Sequence, residues 1–424
     1  MKLAMISDTH FGDPAGTLIE RTSSGRYVPG PKYEAFVAAS GVRNDYLVLN
    51  GDVMDFAMGS YDGAYRTAKA FFQQIQRDRI ARQIIYLPGN HDFEIWQVAE
   101  HQVNIIYQMS TGQMPRKFRM SVPGFIDDRR RVRRRGLLLP GVRRRRIRGK
   151  LGYGGLFLDN ITGSGGAATR FSFAYPNLYV VTDNECVLIT HGHYLDAYWS
   201  AMGRLAPKIF RQDLATGDPM SLADIVAVNF PSTQLACSGV GQAGVLTDTI
   251  QSVEAQILKK ELDRVRLYLK RAEQMAQKAV GGSALSLKRW VTVASLAWAR
   301  NRVLEYLAQM EDPRVTRAFI HRPAVRGRLR HFYEGSTAAI DELNRRYACD
   351  IPYPTHLITG HTHQPVPWKS AEATGVKCPD GKTLLASNSG GWLTGTFTGG
   401  GADFHGAEVF IYETGKGFSS VSIR

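Results

Sequence analysis

Short apolar runs recur through the first part of the chain, and each of them ends in polar side chains. The runs cover Leu3 to Ile6, Asp45 to Leu49 and Ile84 to Leu87, and helical spacing covers Tyr65 to Ile80. Because the runs are short and helical spacing lies between them, they predict strands buried on both faces of an α/β sheet. Open α/β sheets usually place their sites at the carboxyl ends of strands. The polar residues that end each run are therefore the first candidates for chemistry.

The same strand pattern returns further along the chain. The later apolar runs, of which the first two end in histidine-containing segments, are Val187 to Thr190, His356 to Thr359, Leu384 to Asn388 and Glu408 to Tyr412. We therefore predict one α/β core that is built from residues 1–194 and 351–424.

Residues 195–350, between these two parts, have helical spacing. Apolar side chains step by three and four residues from Leu258 to Ala276, and Gly281-Gly282 ends the pattern. A second helix is predicted from Leu285 to Met310, and a shorter one from Thr337 to Tyr347. We interpret the region as a helical insertion. It either packs on the core as a cap or dimer contact, or forms a lid that shapes substrate choice.

Composition excludes several classes of protein. Hydrophobic residues make up 44% of the 424 residues, which is too many for a disordered chain. The cysteines form no close pairs, so neither a disulfide framework nor a cysteine-based metal site is predicted from Cys186, Cys237, Cys349 and Cys378. The first apolar run is too short for a signal peptide, and no apolar stretch is long enough to cross a membrane. We therefore expect a cytoplasmic location, with peripheral contact to a membrane left open.

The net charge of +15 is concentrated in one segment. Residues 116–150 contain 15 basic and 2 acidic residues, a net charge of +13, so the rest of the chain is nearly neutral. Arginine runs at this density resist compact packing, and we predict a surface loop over 127–150. Three interpretations stay open for residues 129–148: a solvated loop without a partner, a contact with anionic membrane lipids, or a contact with nucleic-acid phosphates. No aromatic residue lies between Arg129 and Lys150 on which bases could stack, so nucleic acid is the least favoured of the three.

Five short polar motifs follow the predicted strands. In chain order they are Asp8-Thr9-His10, Gly51-Asp52-Val53-Met54-Asp55, Gly89-Asn90-His91-Asp92, His191-Gly192-His193 and Gly360-His361-Thr362-His363. Each motif alone is common by chance, and a lone buried histidine is more often a satisfied core residue than a ligand. Five of them in order, each at a strand end, are mutually consistent and favour a metal site. Carboxylate, amide and imidazole groups without thiolates suit manganese, iron, zinc or nickel.

In this order the motifs resemble the pattern of the calcineurin-like metallophosphoesterases. Gln364-Pro365 and Asn388-Ser389-Gly390-Gly391-Trp392 are also similar to sequences in bacterial members. The resemblance covers both parts of the predicted core, but neither the insertion nor the basic segment. It implies a four-layer αββα sandwich of two mixed sheets. It also implies a hydrolase of a phosphate ester or pyrophosphate that uses two divalent metal ions, which we expect to be manganese.

The resemblance further implies a role for each matching residue. The implied ligands are, for one ion, Asp8, His10, Asp52 and His363 and, for the other, Asp52, Asn90, His191 and His361. Asp52 would bridge the ions. Two such ions acidify a shared water and clamp both oxygens of an in-line displacement.

His91 is implied to be the general acid and not a ligand. It would donate a proton to the leaving oxygen, and Asp55, which follows Asp52 by three residues, would orient it. Asp92 is the weaker candidate for that orienting role. His193 is expected to lie next to the ligands without binding an ion.

One departure from the family pattern limits the substrate. The Ser/Thr protein phosphatases of this superfamily have an arginine shortly after the carboxylate that matches Asp55, whereas Phe56-Ala57 follows it here. Protein phosphatase activity of that type is therefore disfavoured. The stretch from Gly89 to Phe93 and the helical insertion resemble the UDP-diacylglucosamine pyrophosphohydrolases, which are much shorter; this implies a phosphorylated small-molecule or lipid-linked substrate. The alternative is a nuclease or phosphodiesterase acting on nucleic acid, recruited by the arginine-rich segment.

Overall fold

The structure of the protein is a computed structural model. It describes residues 1–57, 59–129, 136–138, 170–200, 203–204, 220–237, 256, 261–280, 297–298, 300–301, 303–305, 320, 322–373, 375–378, 380–395 and 403–424. All elements and contacts given below refer to these residues.

Strands and helices alternate near the start of the chain, as the apolar runs predicted. In chain order the strands are β1 (Lys2–Ile6), β2 (Ile19–Arg21), β3 (Tyr27–Pro29), β4 (Asn44–Asn50), β5 (Ala81–Leu87), β6 (Gly124–Asp127), β7 (Gly136–Leu138), β8 (Arg170–Phe173), β9 (Asn177–Val181), β10 (Cys186–Thr190), β11 (His356–Thr359), β12 (Pro365–Val366), β13 (Gly375–Lys377), β14 (Thr383–Ser389), β15 (Ala407–Glu413) and β16 (Gly417–Ile423). The α-helices are α1 (Tyr33–Ser40), α2 (Tyr61–Arg77), α3 (Glu94–His101), α4 (Tyr107–Ser110), α5 (Leu222–Cys237), α6 (Asp263–Val280) and α7 (Pro323–Tyr347). A π-helical turn covers Gln102–Ile106, and a 3-10 turn covers His193–Leu195.

Two mixed sheets form the centre of the fold. The strand order of the first sheet is β16-β15-β1-β4-β5-β8, in which the neighbours from β1 to β8 are parallel. The second sheet has the order β12-β14-β11-β10-β9-β6-β7, in which β10, β11 and β14 are parallel. Antiparallel pairs, such as β1 with β15 and β10 with β9, complete each sheet.

The two sheets pack face to face through alternate side chains of their strands. On β1, Leu3 and Met5 join a buried cluster that includes Ile189 of β10, whereas Ala4 and Ile6 belong to another cluster. This alternation follows from the two-residue period of a strand, which sends successive side chains to opposite faces. Both faces of β1 are buried from Leu3 to Ile6, and these four residues are all apolar.

Helices cover the outer face of each sheet. On the first sheet, α2 contributes Phe71 and Phe72, and the Phe72 ring lies 5.5 Å from that of Phe171 on β8. On the second sheet, the Tyr179 hydroxyl of β9 donates to the carbonyl of Ser336 on α7 at 2.9 Å. The prediction of a four-layer αββα sandwich of two mixed sheets is confirmed.

Helix α7 is longer than the sequence pattern predicted. The pattern indicated Thr337 to Tyr347, but the helix begins at Pro323, in the first turn, where proline is tolerated. Gly327 and Gly335 inside the helix weaken the sequence signal, because glycine is a poor helix former. A Cβ at position 335 would lie 2.8 Å from the carbonyl oxygen of Met220, so glycine permits a close approach there.

The region 195–350 contains α5, α6 and α7, in agreement with its predicted helical character. The predicted helix Leu285 to Met310 is described only in part, and the helical residues there are 297–298, 300–301 and 303–305. Arg300 lies 2.6 Å from Glu273 of α6, so an ion pair joins these two segments. The role of the region as a separate cap stays a prediction. None of the helices in the described ranges is both long enough and apolar enough to cross a membrane.

Part of the predicted basic loop belongs to the second sheet. Asp127 ends β6, and Gly136–Leu138 forms β7, which pairs antiparallel with β6. Arg129 lies 2.6 Å from the buried Asp127 carboxylate and 2.7 Å from that of Asp350, so its charge is paired. The prediction of a loop over 127–150 is therefore wrong at Asp127 and at residues 136–138, which pair with each other as strands. The other arginines of the segment lie outside the described residues, and the interpretations of their role stay predictions.

Truncating one buried ring tests the outer helical layer. Phe71 is fully buried, and its ring lies 4.7 Å from that of Phe11 and 5.9 Å from that of Phe36. Because Phe71→Ala leaves a cavity, we expect a loss of about 3–5 kcal/mol in the free energy of unfolding. The measurement is the urea unfolding midpoint. Met109→Ala is the control, because Met109 is 62% exposed and its truncation should cost less than about 0.5 kcal/mol. Equal midpoints for the two variants would contradict this packing.

Candidate metal centre

The five polar motifs meet at one edge of the sandwich. Strands β1, β4 and β5 lead into the first three motifs, and β10 and β11 lead into the last two. Carboxyl ends of parallel strands lie along the same edge of a sheet, which brings the motifs of each sheet together. The backbone N–H of His361 donates to Asp8 Oδ1 at 2.9 Å, so the two sheets are joined at this edge.

Five predicted ligands lie in the left-handed region of the backbone, which residues other than glycine rarely adopt. Their φ angles are 53° for Asp8, 43° for His10, 50° for Asp52, 71° for His361 and 54° for His363. Such a conformation costs on the order of 1–3 kcal/mol and persists only where surrounding contacts hold it. The N–H of Asp8 donates to the Gly51 carbonyl at 3.0 Å, and that of His10 donates to the Asp52 carbonyl at 2.9 Å. Strain held in this way is typical of functional sites.

Two motif glycines allow backbone and carboxylate to approach closely. A Cβ at Gly89 would collide with Oδ1 of Asp52, and a Cβ at Gly360 would collide with Oδ2 of Asp8. No other residue type lacks a Cβ, so these positions require glycine for a steric reason. The glycines that precede Asn90 and His361 are therefore part of the site's architecture.

Asp8, His10, Asp52 and His363 converge on one point. The Nε2 atom of His363 lies 3.3 Å from Asp8 Oδ1 and 3.1 Å from His10 Nε2. The Nε2 atom of His10 lies 3.8 Å from Asp52 Oδ2. These four residues are the ones predicted for one ion, and close oxygen and nitrogen donors of this kind can hold a cation.

Asp52 also belongs to a second cluster, with Asn90, His191 and His361. The Nε2 atom of His191 lies 3.1 Å from Asp52 Oδ2 and 3.0 Å from Asn90 Oδ1, and one nitrogen of His361 lies within 4.8 Å of Asp52 and His191 ligand atoms. The Nδ1 atom of His191 lies 2.9 Å from the carbonyl oxygen of Asn50, which can only accept. Nδ1 therefore carries a proton, and Nε2, once it has lost its own proton, is an acceptor that faces two further acceptors. A cation at this point satisfies all three atoms, so the residues fit a metal ion.

The pKa values of the site also indicate that its carboxylates need a positively charged partner. Burial alone would raise the pKa of Asp52, but His191 and His91 hold it well below its ordinary value. Burial would lower the pKa of His191, but Asp52 and Asp8 raise it to about 9. The pKa of Asp8 is also lowered, by His191 and His363, against the effect of burial. The carboxylates are therefore ionised, and a divalent cation would take the place of a proton.

Asp55 joins the predicted general acid to a predicted ligand. Its Oδ1 atom lies 3.1 Å from His91 Nδ1, and its Oδ2 atom lies 2.9 Å from His10 Nδ1. Burial alone would raise the pKa of Asp55, but His91 and His10 hold it well below its ordinary value. Because an ionised carboxylate only accepts, both rings donate from Nδ1. The His91 side chain is 14% exposed and can be reached from solvent, whereas that of His10 is buried.

Asp92 fixes the loops around Asp52 and does not orient His91. Its Oδ1 atom accepts from the Gly89 N–H at 2.6 Å, and its Oδ2 atom accepts from the Val53 N–H at 2.8 Å and the Tyr86 hydroxyl at 2.5 Å. These bonds tie the end of β5 to the segment after β4. The weaker candidate for orienting His91, Asp92, is therefore wrong. Asp55, the first candidate, makes that contact.

His193 lies beside the ligands and belongs to neither cluster. Its buried ring lies 5.5 Å from that of His191 and 3.8 Å from that of Tyr194, measured between ring centroids. Burial, and then the neighbouring His191, hold the pKa of His193 well below its ordinary value, so the ring is neutral. Within the described part of the chain, neither of its ring nitrogens has a hydrogen-bond partner.

Two residues at the site were missed by sequence reasoning. Asp196 Oδ2 lies 3.4 Å from His361 Nε2, and the Trp199 ring lies 6.1 Å from that of His91. Both follow His191 in a stretch without a recognisable pattern, directly after the motif. No signal in the sequence distinguishes Asp196 from the other aspartates of the chain.

Comparison with known proteins covers the first part of the site. No curated protein matches the chain. A family model described as calcineurin-like phosphoesterase matches residues 1–166, which contain the first three motifs. The structure brings the last two motifs, which lie beyond the match, to the same point. Residues 1–166 of this chain are therefore similar to the calcineurin-like phosphoesterases, whose members are in general metal-dependent phosphoester hydrolases.

Proposed function

We propose that this protein hydrolyses a phosphate ester or a pyrophosphate with two divalent metal ions, and that His91 is the general acid. The observation that carries the proposal is the convergence of two clusters on one carboxylate. Asp52 Oδ2 lies 3.1 Å from His191 Nε2 and 3.8 Å from His10 Nε2, so a single oxygen faces one histidine of each cluster. A carboxylate shared by two cation sites is what a bimetallic phosphoesterase requires.

Each cluster supplies donors of the same chemical type. The residues that would hold the ions are Asp8, His10, Asp52 and His363 for one, and Asp52, Asn90, His191 and His361 for the other. Bound there, two divalent cations supply an acidified water and stabilise charge on the phosphoryl oxygens. Nitrogen and oxygen donors without thiolates support manganese, iron, zinc or nickel, and we propose manganese.

His91 supplies the proton that the leaving oxygen needs. Its Nδ1–H donates to Asp55, so Nε2 is the atom from which a proton can be transferred. The ionised Asp55 stabilises the charged form of the ring. The backbone N–H of His91 donates to Asp52 Oδ1 at 2.8 Å, which fixes the acid relative to the shared carboxylate.

The position after Asp55 supports a limit on the substrate. Phe56 is buried, and its ring lies 4.7 Å from that of Tyr61. An apolar ring supplies no guanidinium to grip a phosphate. We therefore propose a phosphorylated small molecule or a lipid-linked phosphate as substrate, in preference to a phosphoprotein. A phosphodiester of nucleic acid is the alternative.

Metal content tests the shared carboxylate. Protein equilibrated with Mn²⁺ and freed of excess metal should contain close to two ions per chain. Asp52→Ala removes the oxygen that faces both clusters, so it should lose both ions and the hydrolysis of a bis-aryl phosphate. Asp128→Asn is the control, because Asp128 is buried but bonds to the Tyr412 hydroxyl at 2.7 Å, away from the motifs. One ion or none in folded wild-type protein would contradict the proposal.

Truncation of His91 should separate proton donation from metal binding. His91→Ala should retain both ions and lose rate by about 10²–10⁴-fold, the range for general acid catalysis. Esters with very good leaving groups should lose less, because their leaving oxygen hardly needs a proton. The measurement is kcat for p-nitrophenyl and alkyl esters, together with metal content. Metal loss as complete as in Asp52→Ala would show that the two roles are not separate.

We also propose that the arginine runs within 129–148 bind an anionic membrane surface. Each arginine near such a surface contributes about 1 kcal/mol, an effect that salt screens. Replacing Arg143, Arg144, Arg145 and Arg146 by glutamine should weaken co-sedimentation with phosphatidylserine vesicles and leave hydrolysis of a soluble ester unchanged. Wild-type protein that ignores these vesicles at low salt would refute the membrane contact. Tighter binding to duplex DNA than to vesicles would favour the nuclease alternative.

A further inference from the structure

We propose that Asp196 is a positioning residue that sets the tautomer of His361. By accepting a hydrogen bond from one nitrogen of the ring, it leaves the other nitrogen to face the cluster of Asp52 and His191. The inference rests on the proposed function, because it concerns the ion that this cluster would hold.

The geometry of the pair defines which nitrogen carries the proton. Asp196 Oδ2 lies 3.4 Å from His361 Nε2, and both side chains are at most 8% exposed. A carboxylate only accepts, so Nε2 carries the hydrogen and the lone pair of the neutral ring is on Nδ1. A neutral imidazole with one nitrogen donating to a carboxylate is the form that commonly binds a metal ion.

The carboxylate of Asp196 is itself held in place. Its Oδ1 atom accepts from the Tyr198 N–H at 3.0 Å. The carbonyl of the preceding Leu195 accepts from Nε of Arg328 on α7 at 2.5 Å. With Oδ1 bonded and the backbone anchored to α7, Oδ2 is presented to His361 in one orientation.

Other predicted ligands show the same arrangement. His10 has the Asp55 carboxylate 2.9 Å from its Nδ1 atom, and His191 has the Asn50 carbonyl 2.9 Å from its Nδ1 atom. In each ring, the nitrogen remote from the cluster lies within hydrogen-bond distance of an oxygen. Asp196 gives a third ring the same kind of partner, which favours positioning over an incidental contact.

Two substitutions separate positioning from simple loss of a side chain. In Asp196→Asn, the amide oxygen can still accept from the Tyr198 N–H, which leaves the NH₂ group to face His361 Nε2. That nitrogen must then accept, so the proton moves to Nδ1 and blocks the lone pair. Asp196→Ala imposes no tautomer. We expect Asp196→Ala to weaken Mn²⁺ binding at one of the two sites by about 10–100-fold, and Asp196→Asn to weaken it further.

The experiment is a calorimetric titration of the metal-free full chain with Mn²⁺, combined with melting temperatures. Affinity at the other site should stay unchanged in both variants, and Asp196→Glu, which keeps a carboxylate, should recover part of the loss. Asp128→Asn is the matched control, since Asp128 and Asp196 are both 5% exposed. It should leave both Mn²⁺ affinities as in the wild type.

The outcomes distinguish this inference from the proposed function. Wild-type protein with fewer than two Mn²⁺ sites would overturn the proposed function, and the inference with it. Two wild-type sites with unchanged affinities in Asp196→Asn, even with a lowered melting temperature, would overturn the positioning role alone. Complete loss of one ion from Asp196→Ala at saturating Mn²⁺ would identify Asp196 as a ligand and would also overturn that role.

Discussion

The structure of this site depends on the pairing of buried carboxylates with positive charge. Asp8, Asp52 and Asp55 are essentially inaccessible to solvent, yet the histidines around them hold all three in the ionised form. An ionised group in such surroundings is unfavourable unless it is paired and hydrogen-bonded. Imidazoles and backbone N–H groups supply part of the compensation. The remaining acceptors face one another across about 3 Å, and this arrangement is stable only with positive charge between them.

The sandwich supplies the rigidity that this arrangement needs. Five residues after the strand ends have a left-handed backbone conformation, which is locally unfavourable. The surrounding structure holds this conformation, because β1, β4 and β11 are fixed in register by their neighbouring strands. The Asn388 side chain donates to the Gly360 carbonyl at 2.7 Å, and the Trp392 N–H donates to the Asp8 carbonyl at 3.0 Å. The end of β14 and the segment after it thus support the loops of the predicted ligands in both sheets, although they contribute no predicted ligand.

Most of the architecture of the site could be predicted from local patterns. Apolar runs that end in polar motifs indicate strand ends, and the topology of parallel strands then brings those ends together. Two features had no local signal. Helix α7 contains Gly327 and Gly335, which lower its helix propensity, although Gly335 permits a close approach of the segment that begins α5. The partner of Asp196 is 165 residues away, and only the packing of α7 and the second sheet brings the pair into contact.

The parallel pairing of β10 and β11 has a consequence for evolution. Val187 lies opposite His356, so the long segment between these strands leaves the second sheet and returns to it at adjacent positions. The entropy of closing a loop grows only with the logarithm of its length, and doubling such a segment costs about 0.6 kcal/mol. Insertions and deletions in the parts of the segment other than Asp196 and α7 therefore disturb its two fixed ends very little. Descendants of this chain can therefore vary in those parts of the segment while the predicted ligand set is inherited unchanged.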